Sequence, residues 1–108
     1  MRAMPSALPD EAVSVSIELA RQAIREANLA YREGLRDVAE ALKSLGESAR
    51  EIAMYLAKGD VEKAYEMVES SSIESLVVYA SPNTKDAYEH LRYLLVTTRY
   101  SRVRAARH

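Results

Sequence analysis

From Ile17 onward an apolar or aromatic residue returns at every seventh position, through Ile24, Tyr31, Val38, Leu45 and Ile52. Seven steps of 100° bring a helix back to within about 20° of its starting direction, whereas an odd step in a strand sends successive members to opposite faces. The line therefore describes one side of a helix. Three residues behind it runs a second line of mostly small residues, Ala20, Ala27, Gly34, Ala41, Ser48 and Tyr55, and Leu35, Leu42, Ala49 and Leu56 fill the adjoining positions. Such a stripe predicts a helix packed at a shallow angle against others, and its small members favour close antiparallel neighbours.

Local signals divide the chain. Pro5 and Pro9 mark residues 1–9 as an irregular leader, after which Asp10 is suited to accept from the first free amides of a helix. The stripe keeps its phase through Gly34 and Gly46, which leaves two readings of residues 10–58. In the favoured one Gly46 ends the helix and Ser48 with Glu51 forms a capping box for a segment over 48–58; in the other a single helix runs through. Lys58-Gly59-Asp60 predicts a turn, with Asp60 opening a helix over 61–70. Ser70-Ser71-Ser72 interrupts before a segment over 73–80, with Ser71 and Glu74 spaced as a capping box. Ser81-Pro82-Asn83 stops that segment, and Asn83 or Thr84 caps a last helix over 84–103 whose inward face is Tyr88, Leu91, Leu94, Leu95 and Thr98. No strand pattern occurs. The expected fold is all-α, a bundle of four or five helices with a long N-terminal helix, forming a single domain over 10–103 with a basic tail at 104–108.

The 108 residues suffice for one core. With no cysteine, thiolate chemistry, disulfides and Cys-ligated metals are excluded. No apolar run approaches the ~20 residues that span a bilayer, and Met1 to Pro9 lacks the character of a signal peptide, so the expectation is a cytoplasmic protein without membrane contact. Side-chain amides are confined to Gln22, Asn28 and Asn83, a bias compatible with a heat-adapted source.

Charge is unevenly spread. Of the 15 basic and 16 acidic residues, 9 and 14 lie at or before Thr84, and after Glu89 no acid occurs while Arg92, Arg99, Arg102, Arg104 and Arg107 follow. With Tyr93 and Tyr100 on the same side of the helix, these arginines supply cations for phosphates and rings for unpaired bases, or a contact surface for a protein. Catalytic machinery is thin: His90 and His108 are the only histidines, and no phosphate-binding glycine loop occurs. Glu18, Glu26, Glu33, Glu40 and Glu47 recur beside Arg25, Arg32 and Arg36 as a solvated helix face would. Glu89-His90 lacks the spacing of a di-metal bundle, so neither metal nor cofactor is expected.

The segment from Ala49-Arg50-Glu51 through Lys58-Gly59-Asp60 and Lys63-Ala64-Tyr65-Glu66 to Ala80 resembles the helical hairpin of small archaeal proteins of the HEPN-related group, and is similar in kind to tetratricopeptide hairpins. Members of that group that cut RNA carry an Arg and, four to six residues on, a His, a spacing that Arg102 and His108 meet at the chain's end, outside the hairpin. The resemblance implies a helical scaffold, with RNA binding or cleavage as the alternative function. The residues themselves predict a non-catalytic interaction module. It is expected to form a homo-oligomer through Ile17, Ile24, Tyr31, Val38 and Leu45, and to contact a protein or nucleic acid through Arg92, Tyr93, Arg99, Tyr100, Arg102, Arg104 and Arg107.

Overall fold

A computed structural model describes residues 7–106, with side chains described over 10–100. Among these residues there are five helices and no strand: α1 (Ala7–Arg32), α2 (Arg36–Ala57), α3 (Val61–Val68), α4 (Ser71–Val77) and α5 (Pro82–Ala106). The all-α bundle and its long first helix agree with the sequence. Helix α1 begins earlier than expected, at Ala7, because Pro9 falls in its first turn, where a helix has no use for the missing N–H. The rest of the leader, residues 1–6, lies outside the described residues.

The first helix ends at Gly34 and not at Gly46. Gly34 takes φ +80°, and the amides of Gly34 and Leu35 donate to the carbonyls of Tyr31 (3.1 Å) and Ala30 (2.9 Å). This pair of reversed bonds is a Schellman termination, which needs a left-handed residue that glycine adopts without strain. The Gly59 turn repeats it, with Gly59 donating to Leu56 (3.0 Å) and Asp60 to Tyr55 (2.8 Å). Gly46 instead sits buried within α2, where Ile24 of α1 lies over it: a Cβ built there would meet Ile24 Cδ1 at 2.7 Å and the Ala20 carbonyl at 3.3 Å. Its helix-breaking tendency, about 1 kcal/mol relative to Ala, is outweighed by this close approach. The chain thus folds back on itself as an antiparallel α1–α2 hairpin.

Helix α5 packs on one side of α1, while α3 and α4 cover α2 and bridge to α5. The core between them joins Leu19 and Ala23 of α1 to Leu45 and Ile52 of α2, Val61 and Val68 of α3, Ile73 of α4, and Leu91 and Leu95 of α5. Tyr88, Leu91, Leu94, Leu95 and Thr98 are all buried, as their spacing predicts. The Tyr88 hydroxyl donates to the Val68 carbonyl at 2.9 Å, and burial, helped by the field of Glu74, pushes its pKa up to about 12. Caps fall before their expected places, by one residue for α4 and by two or three for α5, where the sequence points to Asn83 or Thr84: Ser70, not Ser71, accepts from the Ile73 amide at 3.3 Å and caps α4. Ser81 opens α5, with Pro82 in its first position.

The radius of gyration, 14.8 Å, exceeds the ~13 Å of a compact chain of this length, and the extents of 54 × 25 × 22 Å show a rod. No helix among the described residues is long and apolar enough to cross a membrane.

Candidate functional site

Two of the arginines expected to form a cationic surface on α5, Arg92 and Arg99, are turned toward α3. Arg92 Nε donates to Glu69 Oε2 at 2.8 Å, and Arg99 Nε to Glu62 Oε1 at 3.2 Å. Both arginines are seven residues apart and so are both acids, so two antiparallel helices bring them into register as a ladder. Arg99 also lies over the Tyr65 ring, 4.6 Å from its centroid. Hydrogen bonding to Glu69 and Glu62, and then the field of the same carboxylates, raise the two guanidinium pKa values. These cations already face anions of their own chain. Tyr93 and Tyr100, with Val96, are exposed along the neighbouring edge of α5. The side chains of Arg102 and Arg104, and all of Arg107 and His108, lie outside the described residues.

The seven-residue line divides at the hairpin turn. Before it, Ile17 and Tyr31 are 45% and 63% exposed and Ile24 is half-buried; after it, Val38 is half-buried against the core and Leu45 is 0% exposed. Leu45 is therefore not an interface residue, because the reversal at Gly34 turns the second half of the line toward the core. Ile17, Ile24 and Tyr31 share the face of the hairpin opposite the other helices. That face is an apolar depression of about 580 Å³ lined by Val13, Ile17, Ala20, Arg21, Ile24, Arg50, Ala53, Met54 and Ala57. Beyond Ile24 it continues as a second, of about 380 Å³, past Ala27, Asn28, Tyr31, Ala39, Glu40 and Lys43. Arg21 and Arg50 of the first lining and Lys43 of the second are exposed, as are Arg25 and Glu47, one turn along their helices from Arg21 and Lys43. Among the described residues none of these five is in an ion pair.

A third cluster joins α1 to the start of α5. The Glu26 carboxylate accepts from the Ser81 amide (3.0 Å), the Ser81 hydroxyl (2.6 Å) and the Thr84 hydroxyl (2.6 Å), with Gln22 Oε1 3.1 Å from the same Thr84 oxygen. Burial alone would push the carboxyl up, yet the three hydrogen bonds together hold it below the usual carboxylate range. Glu26 is thus an exception to the solvated series it belongs to in sequence: it ties α5 to α1 and occupies the positive end of α5 with the chain's own anion. No local signal marks it, since its partners lie 55 and 58 residues away.

Among the described residues no three His, Asp or Glu side chains are grouped to hold a metal ion. Comparisons with protein-family models, with curated proteins and with solved structures find no match to this chain.

Proposed function

We propose that this chain is a non-catalytic assembly module that self-associates through the open face of its α1–α2 hairpin. One observation carries the reading: Ile17, Met54 and Tyr31 are 45%, 57% and 63% exposed on a face where α1 and α2 pack only against each other. Removing an Ile or Met side chain fully from water contributes about 1.5–3 kcal/mol, so a few such residues together favour a covered state. The size is also suitable. A face as long as α2, about 33 Å, and two helices or about 20 Å wide has a footprint of about 660 Å² before side-chain relief is counted. Specific interfaces bury about 800 Å² per partner. The exposed Tyr93, Val96 and Tyr100 edge supports a second contact, with a protein partner, because aromatic rings with a polar tip suit half-wet interfaces.

RNA binding of the HEPN type is the rival function, and it draws on Arg102, Arg104, Arg107 and the Arg102 to His108 spacing. Retention on RNA at low salt, lost when Arg99, Arg102 and Arg104 are replaced by Ala, is its signature. The assembly reading is tested by sedimentation equilibrium across a wide concentration range. A dimer or larger species is expected, and Ile17→Glu is expected to yield a folded monomer. A wild-type chain that stays monomeric at several hundred micromolar overturns it.

A further inference from the structure

Among the described residues the lining of the larger depression on the open face is apolar except at two points, and both are arginines. Its floor is Ala20 and Ala53, both buried, and its walls are Ile17 and Ile24 of α1 and Met54 of α2. The charged side chains that line it are Arg21 and Arg50. Ile24 lies over Gly46. In the antiparallel hairpin Arg21, three residues before Ile24, and Arg50, four residues after Gly46, therefore differ in level by one residue, about 1.5 Å. A cation flanks the depression on each side at nearly the same height.

Neither arginine has an anion of its own. Both are exposed and, among the described residues, in no ion pair. Glu18 and Glu47, each three residues away on the same helix, lie outside the lining and pair with neither. Arg92 and Arg99 on α5 show the contrary case, each matched to a carboxylate of α3. Whatever covers the depression takes the two guanidinium groups partly out of water, and a purely apolar cover leaves them uncompensated. A second copy of the face brings the same two arginines and no carboxylate to this lining. An occupant with carboxylates forms charge-assisted hydrogen bonds to both, a geometry that guanidinium suits.

We infer that the open face receives an amphipathic helix of another protein whose apolar stripe is flanked by acidic residues, one on each side, at the level of Arg21 and Arg50. Shape selects a helix. The first depression runs on past Ile24 into the second, so the groove between α1 and α2 follows the hairpin. Helix α2, with 22 residues, gives it about 33 Å, the length of a helix of three heptads. A concave seat of this kind does not suit a bilayer, whose surface is flat on the same scale. On the incoming helix, positions two residues apart lie about 200° apart around the axis, so acids at such a pair straddle the stripe at nearly one level. The second depression carries Lys43 and Glu40, which balance, and sets no charge preference of its own. The inference goes beyond the self-association proposed above and does not require it; the acidic helix takes the same face and so displaces a second copy.

The probe is a fluorescent three-heptad peptide with Leu at the first and fourth positions of each heptad, Glu at the fifth and seventh, and Ala or Gln elsewhere, with a twin in which every Glu is Lys. In anisotropy titrations with the full chain the acidic peptide is expected to bind about tenfold tighter than its basic twin, with an affinity that falls as salt rises. The double variant Arg21→Glu with Arg50→Glu, shown to be folded by circular dichroism, is expected to lose about tenfold on the acidic peptide and to gain on the basic one. An apolar surface without charge selection would not exchange its preference in this way. Equal binding of the twins by wild type overturns the inference, as does an acidic-peptide affinity unchanged in the double variant, or binding only to vesicles of phosphatidylcholine and phosphatidylserine. The two readings fail separately. A wild-type chain that sediments as a monomer removes self-association alone, and an acidic peptide that stays unbound at several hundred micromolar chain removes this inference alone.

Discussion

The two halves of one seven-residue line have opposite fates. Leu45 and Ile52, after the hairpin turn, are sealed in the core, whereas Ile17 and Tyr31, before it, remain 45% and 63% exposed on the far side of the same two helices. Helical periodicity marks which residues share a side of a rod; it does not say what that side meets. Reversing the chain at Gly34 rotates the stripe relative to the rest of the molecule, so one half faces α3, α4 and α5 and the other faces away. Charges repeat the lesson. Arg92 and Arg99 find acids on α3, while Arg21, Arg25 and Arg50, equally basic in sequence, stand on the uncovered face.

Leu45→Ala sets the upper end of the contrast. It is expected to lower unfolding free energy by about 2–5 kcal/mol, measured by urea denaturation, because the cavity lies among atoms that cannot all collapse into it. A loss below 1 kcal/mol would mean that the inward half of the line is not sealed. The covered side also depends on α5 being held at its first turn, and Glu26→Gln, which keeps one acceptor and removes the charge, is expected to cost about 1–2 kcal/mol. The sign of its pH dependence follows from the lowered pKa. The stabilisation is present above the unfolded value near 4.5 and is lost as pH falls through the lower native value, so the acid-side decline should be shallower in the variant. Equal slopes in acid urea titrations would remove Glu26 from the account.

Gly46→Ala probes the seam between the two sides. The new methyl adds helix propensity worth about 1 kcal/mol but collides with Ile24 and crowds the Ala20 carbonyl. Overpacking costs about 1–3 kcal/mol, so a net loss of about 1 kcal/mol is expected in the same denaturation experiment, and a gain would show that Ile24 moves aside freely. The smallest effect belongs to Ile17→Ala. On the fold of the single chain, at a concentration where it is monomeric, it should change stability by no more than about 0.5 kcal/mol. A loss comparable to that of Leu45→Ala would erase the difference between the two faces.

Where a residue's role is decided by its neighbours in sequence, that role was legible. The apolar face of α5 and the turn at Gly59-Asp60 both follow from local spacing and capping chemistry, and Asp60 does accept from the Lys63 amide at 3.1 Å. The turn at Gly34 was hidden because Leu35, which follows it, has no side chain to cap α2, whereas Gly46 is followed by Ser48 and Glu51, a convincing decoy. Ile17, Ile24 and Tyr31 could be picked out as one face, but the burial of Leu45 depends on where the chain reverses. The pairing of Arg92 with Glu69 and the tie at Glu26 depend on residues 23 and more than 50 positions away, and no local pattern announces either.

The Glu26 tie also orders the events of opening. Most other contacts join helices close in sequence, so α1 and α2 can close as a hairpin before α5 is placed, while the Ser81 and Thr84 bonds form only once the remainder of the chain has returned to α1. Amide protons in the first turns of α5 should therefore exchange with solvent through an opening that leaves the hairpin amides protected, and acidification should hasten the former more than the latter.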